Sequence, residues 1–181
     1  MIILGVDPGT RFAGYGVIAV EGRTERLVEY GVLDLDVHES HALRLKRIYD
    51  RISEVIDRCL PDECALEMPV YGRNPQSMLK LGRAQAAAML AVLNRGIPAT
   101  EYTPKEVKKS VTGKGNASKE QVAYMVGAIL EAPDLSTTRL DAADALAVAL
   151  CHAHRDRGGA DGGTHKDWSS FLKANPNRWR G

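Results

Sequence analysis

The sequence predicts an α/β domain: an antiparallel hairpin, then parallel strands added by crossover to make one mixed sheet. Three observations carry this. Apolar runs too short for helices stop at an acid or a turn, as from Ile2 to Asp7 and from Glu63 to Glu67. Segments with a helical stripe separate the later runs. The order is three strands, helix, strand, helix, strand, then helices only.

The first run, Ile2-Ile3-Leu4-Gly5-Val6-Asp7, is apolar up to Asp7 and is followed by Pro8-Gly9, as expected of a buried central strand with an acid at its end. The competing reading of Asp7 is a turn residue that caps its own loop. Strand character resumes over residues 14–20, so the two runs read as a hairpin. Residues 27–35 give a third strand after a turn at Gly22, with Asp34 and Asp36 on a solvated edge.

From Ser40 to Cys59, the residues Leu45, Ile48, Tyr49, Ile52, Val55, Ile56 and Cys59 share one helical stripe, and charged residues fill much of the rest. This is a surface helix on a sheet, stopped by Pro61. Residues 63–67 form a second buried strand ending in an acid, Glu67. The loop after it offers Tyr71 and Arg73. A helix of about residues 76–95 follows, with Gly96 as its C-cap. Its middle is apolar nearly all round, so it should be buried on more than one side. A homodimer interface and a crowded monomer core both satisfy that pattern.

Residues 97–102 give a short strand. Thr103-Pro104 opens a helix with proline at its first position. A Gly-rich loop, Thr112 to Ala117, leads to Ser118 and Gln121, a capping-box pair for the next helix, which Pro133 ends. The last strong element runs from Leu140 to about His154. The domain is therefore residues 1–156. Residues 157–181 are a Gly-rich linker and a flexible tail carrying Trp168, Phe171 and Trp179 among cations.

Composition narrows the function classes. The chain has 181 residues, with 24 Lys+Arg against 23 Asp+Glu. Charge is nearly balanced, so any nucleic-acid surface must be local. Cys59, Cys64 and Cys151 have no metal-ligand spacing and read as small core residues of a reducing compartment. No signal peptide precedes the first strand and no apolar run is long enough to span a bilayer, so the expected location is cytoplasmic.

Chemistry concentrates in four acids. Asp141 and Asp144 lie three apart on the last helix and share a face. Asp141 alone also fits a first-turn cap with Thr138. Asp144 lies one turn further in, among Ala, Leu and Val, where two like charges repel and lose water. A divalent cation removes both penalties. With Asp7 and Glu67 this is an oxygen-only ligand set, which favours Mg²⁺, with Mn²⁺ able to substitute, over zinc. Four carboxylates around two ions about 3.5–4 Å apart suit phosphodiester hydrolysis. His152 and His154 point to different helix faces and read as structural.

Five motifs in order then carry a specific resemblance: Asp7-Pro8-Gly9-Thr10, Leu66-Glu67, Lys80-Leu81-Gly82-Arg83, Gly115-Asn116-Ala117-Ser118-Lys119 and Asp141-Ala142-Ala143-Asp144-Ala145-Leu146. Over residues 1–155 the chain resembles the RuvC family of Holliday junction resolvases. The resemblance implies a ribonuclease H-like fold, a homodimer, and Mg²⁺-dependent paired nicking of a four-way DNA junction in recombination and repair. By position it puts the acidic tetrad on Asp7, Glu67, Asp141 and Asp144, and the important lysines on Lys108 and Lys119; its place on the central strand makes Asp7 the acid expected to bridge two ions. It also implies a branch-migration motor of the RuvA–RuvB type as partner. One departure stands out. The family often has a Phe wedge where this chain has Val70, and Tyr71, next along, can stack on a base instead.

Local charge suits that substrate. Lys105, Lys109 and Lys114 join Lys108 and Lys119 across one loop and two helix ends, and Arg73, Lys80 and Arg83 form a second group. A solvated lysine face is the plainer reading of Lys105 and Lys109. Three rivals remain at this point: another ribonuclease H-like nuclease acting on RNA–DNA hybrids or as a transposase, an actin-like ATPase or sugar kinase sharing the first phosphate loop, and an inactive DNA-binding module. The second needs another lobe and phosphate loop, for which the chain is too short.

Overall fold

In a computed structural model, residues 1–69, 74–132, 135 and 140–155 are described. Three strands come first: β1 Ile2–Asp7, β2 Phe12–Glu21 and β3 Thr24–Asp34. Then α1 His41–Cys59, β4 Glu63–Glu67, α2 Pro75–Leu93 and β5 Ala99–Tyr102 alternate. Helices α3 Pro104–Thr112, α4 Lys119–Ile129 and α5 Leu140–Arg155 close the order. The sheet order is β3-β2-β1-β4-β5, with β1 antiparallel to β2 and parallel to β4.

The chain starts and stops its helices by side-chain chemistry. Ser40 caps α1 by accepting from the Leu43 amide. Both Thr103 with Glu106 and Ser118 with Gln121 make reciprocal capping boxes, satisfying amides that the first turn leaves free. The sheet is covered on both faces. Leu4, Val6, Val17 and Leu66 pack against α1 and α2, while Ile3, Ile18 and Ala65 pack against α3, α4 and α5. Alternation along β1 thus sends Ile3, Gly5 and Asp7 toward α5.

The strand β3 begins at Thr24, earlier than its apolar run suggests, because its pairing with β2 continues through the charged residues Glu25 and Arg26 to the Gly22 turn. Asn94, not Gly96, caps α2, and Gly96 takes the left-handed turn beyond it. A larger difference concerns burial of α2. Its buried residues are Ala84, Ala88, Ala91 and Val92, all on one side, while Leu79, Leu90 and Leu93 remain 59%, 53% and 49% exposed. The described residues cover one face of this helix only.

Close approach of α5 to the sheet sets the site. A Cβ at Gly5 would overlap the carbonyl of Ala145, and one at Gly14 the carbonyl of Asp141; one at Gly16 would lie 2.5 Å from the Leu146 side chain. Gly5 pairs with Gly16, and Asp7 with Gly14, across the β1–β2 ladder. These glycines form a trough in which the α5 backbone lies directly against the sheet. At its other end α5 is pinned by polar contacts. His152, buried, bonds the Tyr102 hydroxyl at 2.8 Å through Nδ1 and meets Glu63 through Nε2. His154 bonds Ser110 and Glu25, each at 3.1 Å. Both histidines therefore serve the fold, as their positions on opposite faces suggest.

Candidate active site

Asp7 ends β1, and Glu67 ends the parallel neighbour β4. Val6 pairs with Leu66, so one step further along both strands sets the two acids side by side on the α5 face. The trough brings α5 over the same spot, because the Asp141 carbonyl rests on Gly14, the partner of Asp7. One carboxylate oxygen from each of Asp7, Asp141 and Asp144 then lies within 4.8 Å of the others. Glu67 borders this trio, near enough to feel the charges of Asp7 and Asp144.

The electrostatic cost is visible in the acids. Burial first, then repulsion from Asp144, pushes Asp7 up to about 7. Burial and the charge of Asp7 push Glu67 up to about 8. Asp144 is also raised, mainly by burial, against the lowering effect of Lys119. Such crowding of buried acids marks a site built to receive positive charge. Lys119 supplies some of it: its Nζ donates to Asp144 Oδ2 at 2.6 Å and stands 4.0 Å from Asp141 Oδ1. Burial disfavours the ammonium, yet the bond to Asp144 and the surrounding acids leave its pKa above the usual lysine value. Lys108, half-buried on α3, adds its field to Glu67 and Asp144.

The other cations fall into separate places. Lys105 lies along Gly115, whose missing side chain leaves room for it. Lys109 is exposed and its carbonyl receives the capping amide of Gly113. Lys114 lines a groove with Thr112, Ala117, Glu120, Tyr124 and Met125. Lys80 and Arg83 are exposed on α2, across the sheet from α5. Tyr71, Arg73 and Val70, with the whole tail from residue 156, lie outside the described residues. Two features of the site escaped the sequence reading. The glycine trough was one; its signal was three glycines inside strands, where glycine normally weakens them. The other is that His41 and Arg44, at the start of α1, join the Lys80 and Arg83 group.

Residues 3–152 match the family model for the crossover junction endodeoxyribonuclease RuvC. The chain belongs to the RuvC family. The RuvC of Salinibacter ruber is 58% identical over 178 residues, covering 98% of each chain. The structure of Thermus thermophilus RuvC in complex with a Holliday junction substrate superimposes with a TM-score of 0.78 at 34% identity, over 88% of this chain and 96% of that one. The yeast mitochondrial Holliday junction resolvase Ydc2 shares the fold at a TM-score of 0.55 and 13% identity, over 86% of this chain and 82% of its own. The architecture is thus the ribonuclease H-like one of RuvC and related resolvases, with the mixed sheet that the strand pattern predicts.

Proposed function

We propose that this RuvC-family endonuclease resolves four-way DNA junctions by paired, divalent-metal-dependent hydrolysis of two opposed strands. The observation that carries the chemistry is the convergence of Asp7, Asp141 and Asp144 on one point, with Glu67 beside them and Lys119 bonded to Asp144. The donors are all carboxylate oxygens, two of them on rigid strand ends and two on one helix face. That set fits a hard cation of the Mg²⁺ or Mn²⁺ kind. Asp7, Glu67, Asp141 and Asp144 would hold it. When bound, it lowers the pKa of a coordinated water and neutralises charge on the phosphate.

The chain's own residues do the rest. The four acids, set on two strand ends and one helix face, fix where such a cation would sit relative to the sheet edge. Lys119 gives up its hold on Asp144 to the phosphate oxygens and stabilises the charge that develops there. Lys108 reinforces that field from α3. Lys114 and the loop glycines at the same edge contact the backbone, which fixes register without reading sequence.

A homodimer supplies the second nick. Leu79, Ala86, Leu90 and Leu93 recur at a seven-four-three spacing along the exposed side of α2, and its three leucines are about half exposed or more. This is the seam expected of a helix that meets its own copy. Two copies would present two carboxylate centres to a two-fold symmetric junction. The described residues include no helix long and apolar enough to cross a membrane, which suits work on cytoplasmic DNA beside a branch-migration motor.

The test separates binding from cutting. With Mg²⁺, Asp7→Asn and Asp144→Asn are expected to bind a four-way junction within about threefold of the parent, yet to cut it roughly a thousandfold more slowly or worse. Cutting at near the parent rate by either variant would remove that carboxylate from the reaction.

A further inference from the structure

We propose that His41, Arg44, Lys80 and Arg83 form a second phosphate site, which grips the DNA backbone on the face of the sheet opposite the carboxylates. This rests on the reading of the protein as a DNA nuclease; Lys80 and Arg83 belong to the second basic group already matched to DNA, and the new members are His41 and Arg44, which neither the motifs nor the catalytic geometry use.

The placement follows from how α1 and α2 pack. Their C-terminal ends meet: Arg95 bonds Asp57 at 2.7 Å and Ser53 at 3.0 Å, and Asn94 bonds the Tyr49 hydroxyl at 3.0 Å. The two helices therefore run side by side in the same direction. Their N-terminal halves, with His41 and Arg44 on one and Lys80 and Arg83 on the other, lie together at the opposite end. That end is the catalytic edge, because Arg44 Nη1 donates to the Thr10 carbonyl at 3.0 Å, in the turn that follows Asp7. A DNA strand leaving the carboxylates over the sheet edge meets these four residues next.

The cluster is built for an acceptor that the described residues do not provide. Both ring nitrogens of His41 and Nε of Arg44 are buried and have no hydrogen-bond partner among the described residues. Buried donors and acceptors in native folds are nearly always paired, so three in one neighbourhood call for a polar occupant. Glu39, two residues before His41, bonds Arg47 at 2.6 Å through Oε1, and its Oε2 is also buried without a partner among the described residues. What surrounds His41 is positive: besides burial, the charges of Arg44, Arg83 and Lys80 hold its pKa below the ordinary value. A phosphate among them would reverse that balance, accept from Arg44 Nε and the imidazole, and offset the mutual repulsion of three cations. Phosphate contacts of this kind position a duplex without selecting sequence. The plainer alternative is a helix-start histidine with a local water.

Binding of the full-length protein to a four-way junction, with Ca²⁺ in place of Mg²⁺, decides between them. Each backbone phosphate near the exchange point is replaced in turn by a neutral methylphosphonate. One position outside the scissile bond is expected to weaken wild-type binding about tenfold. His41→Ala and Arg83→Ala are expected to lose about tenfold on unmodified DNA, and less than twofold more at that position. His41→Lys, which restores a cation, should bind within about threefold of the parent. The site is overturned if His41→Ala binds like the parent, if His41→Lys binds as weakly as His41→Ala, or if no methylphosphonate shows this coupling. Should the wild type prefer linear duplex to the junction, the resolvase reading fails instead, and the same scan on duplex still decides the cluster.

Discussion

Asp7 is a carboxyl that water would hold more comfortably than the protein does. Its pKa rises from 3.8 to about 7 on folding, chiefly by burial. Between those values the folded chain keeps a proton that the unfolded chain has lost, so without metal the stability contributed at this site falls as pH rises from about 4 to 7 and is level above. Asp7→Asn removes that dependence. Metal-free Asp7→Asn should be the more stable protein, by an amount that grows through this window to about 4 kcal/mol, or roughly 8–16 °C in Tm. Thermal melts at pH 5 and pH 8 in EDTA would show it; a gap that shrank with rising pH would contradict the burial argument. Because protons must leave for a cation to enter, Mn²⁺ affinity of the parent should climb over the same range. Lys119 competes for the same charge. Lys119→Ala should bind Mn²⁺ about two- to tenfold more tightly and yet cut at least about a hundredfold more slowly at saturating metal. Titration calorimetry beside single-turnover cleavage measures both; losses of equal size in junction binding and cutting would make Lys119 a phosphate clamp only. At this scale the sequence is very legible. Asp7 and Glu67 stood out because each ends a buried apolar run, and Asp144 because its helix neighbours are Ala, Leu and Val.

At the scale of elements, the site depends on how closely α5 approaches β1 and β2. Gly14→Ala puts a methyl into the Asp141 carbonyl, and backbone cannot step aside as a side chain does. The variant should lose about 3 kcal/mol, roughly 6–12 °C in Tm, and its residual cleavage should be low even where it is folded, because Asp141 and Asp144 move together with the helix. A melt and a cleavage assay on one preparation test this, with normal activity in a destabilised variant as the contrary result. The existence and order of the elements were readable from periodicity and caps. The trough was not. Gly5, Gly14 and Gly16 line up only once the hairpin register pairs Gly5 with Gly16 and Asp7 with Gly14, and no pattern in one strand reveals its partner's face. The same holds for the basic cluster at the start of α1. His41 and Lys80 are far apart in sequence, and only parallel packing of α1 on α2 brings them to one edge.

At the scale of the whole molecule, the proposed dimer would add what a single chain lacks. The seam of Leu79, Leu90 and Leu93 on α2 is exposed in one copy, although the composition of the helix suggested burial on several sides. The apolar surplus was visible in the sequence; which side the sheet would take was not. Leu90→Glu should convert a dimer into a monomer by light scattering, with a folded far-UV spectrum, and should uncouple the two nicks on a cruciform plasmid so that nicked circles accumulate over linear product. With two copies, two carboxylate centres and two basic clusters would lie along one continuous DNA surface, and a structure with two-fold symmetry is its natural match. The central claim is that this surface, with its metal, cuts a four-way junction and little else. The direct measurement is cleavage of a synthetic four-way junction beside the same arms as linear duplex and as an RNA–DNA hybrid, with Mg²⁺ and with EDTA. The expected result is paired, symmetric nicks on the junction only, and only with Mg²⁺. Cleavage of the hybrid at a comparable rate, or of the junction in EDTA, would contradict it.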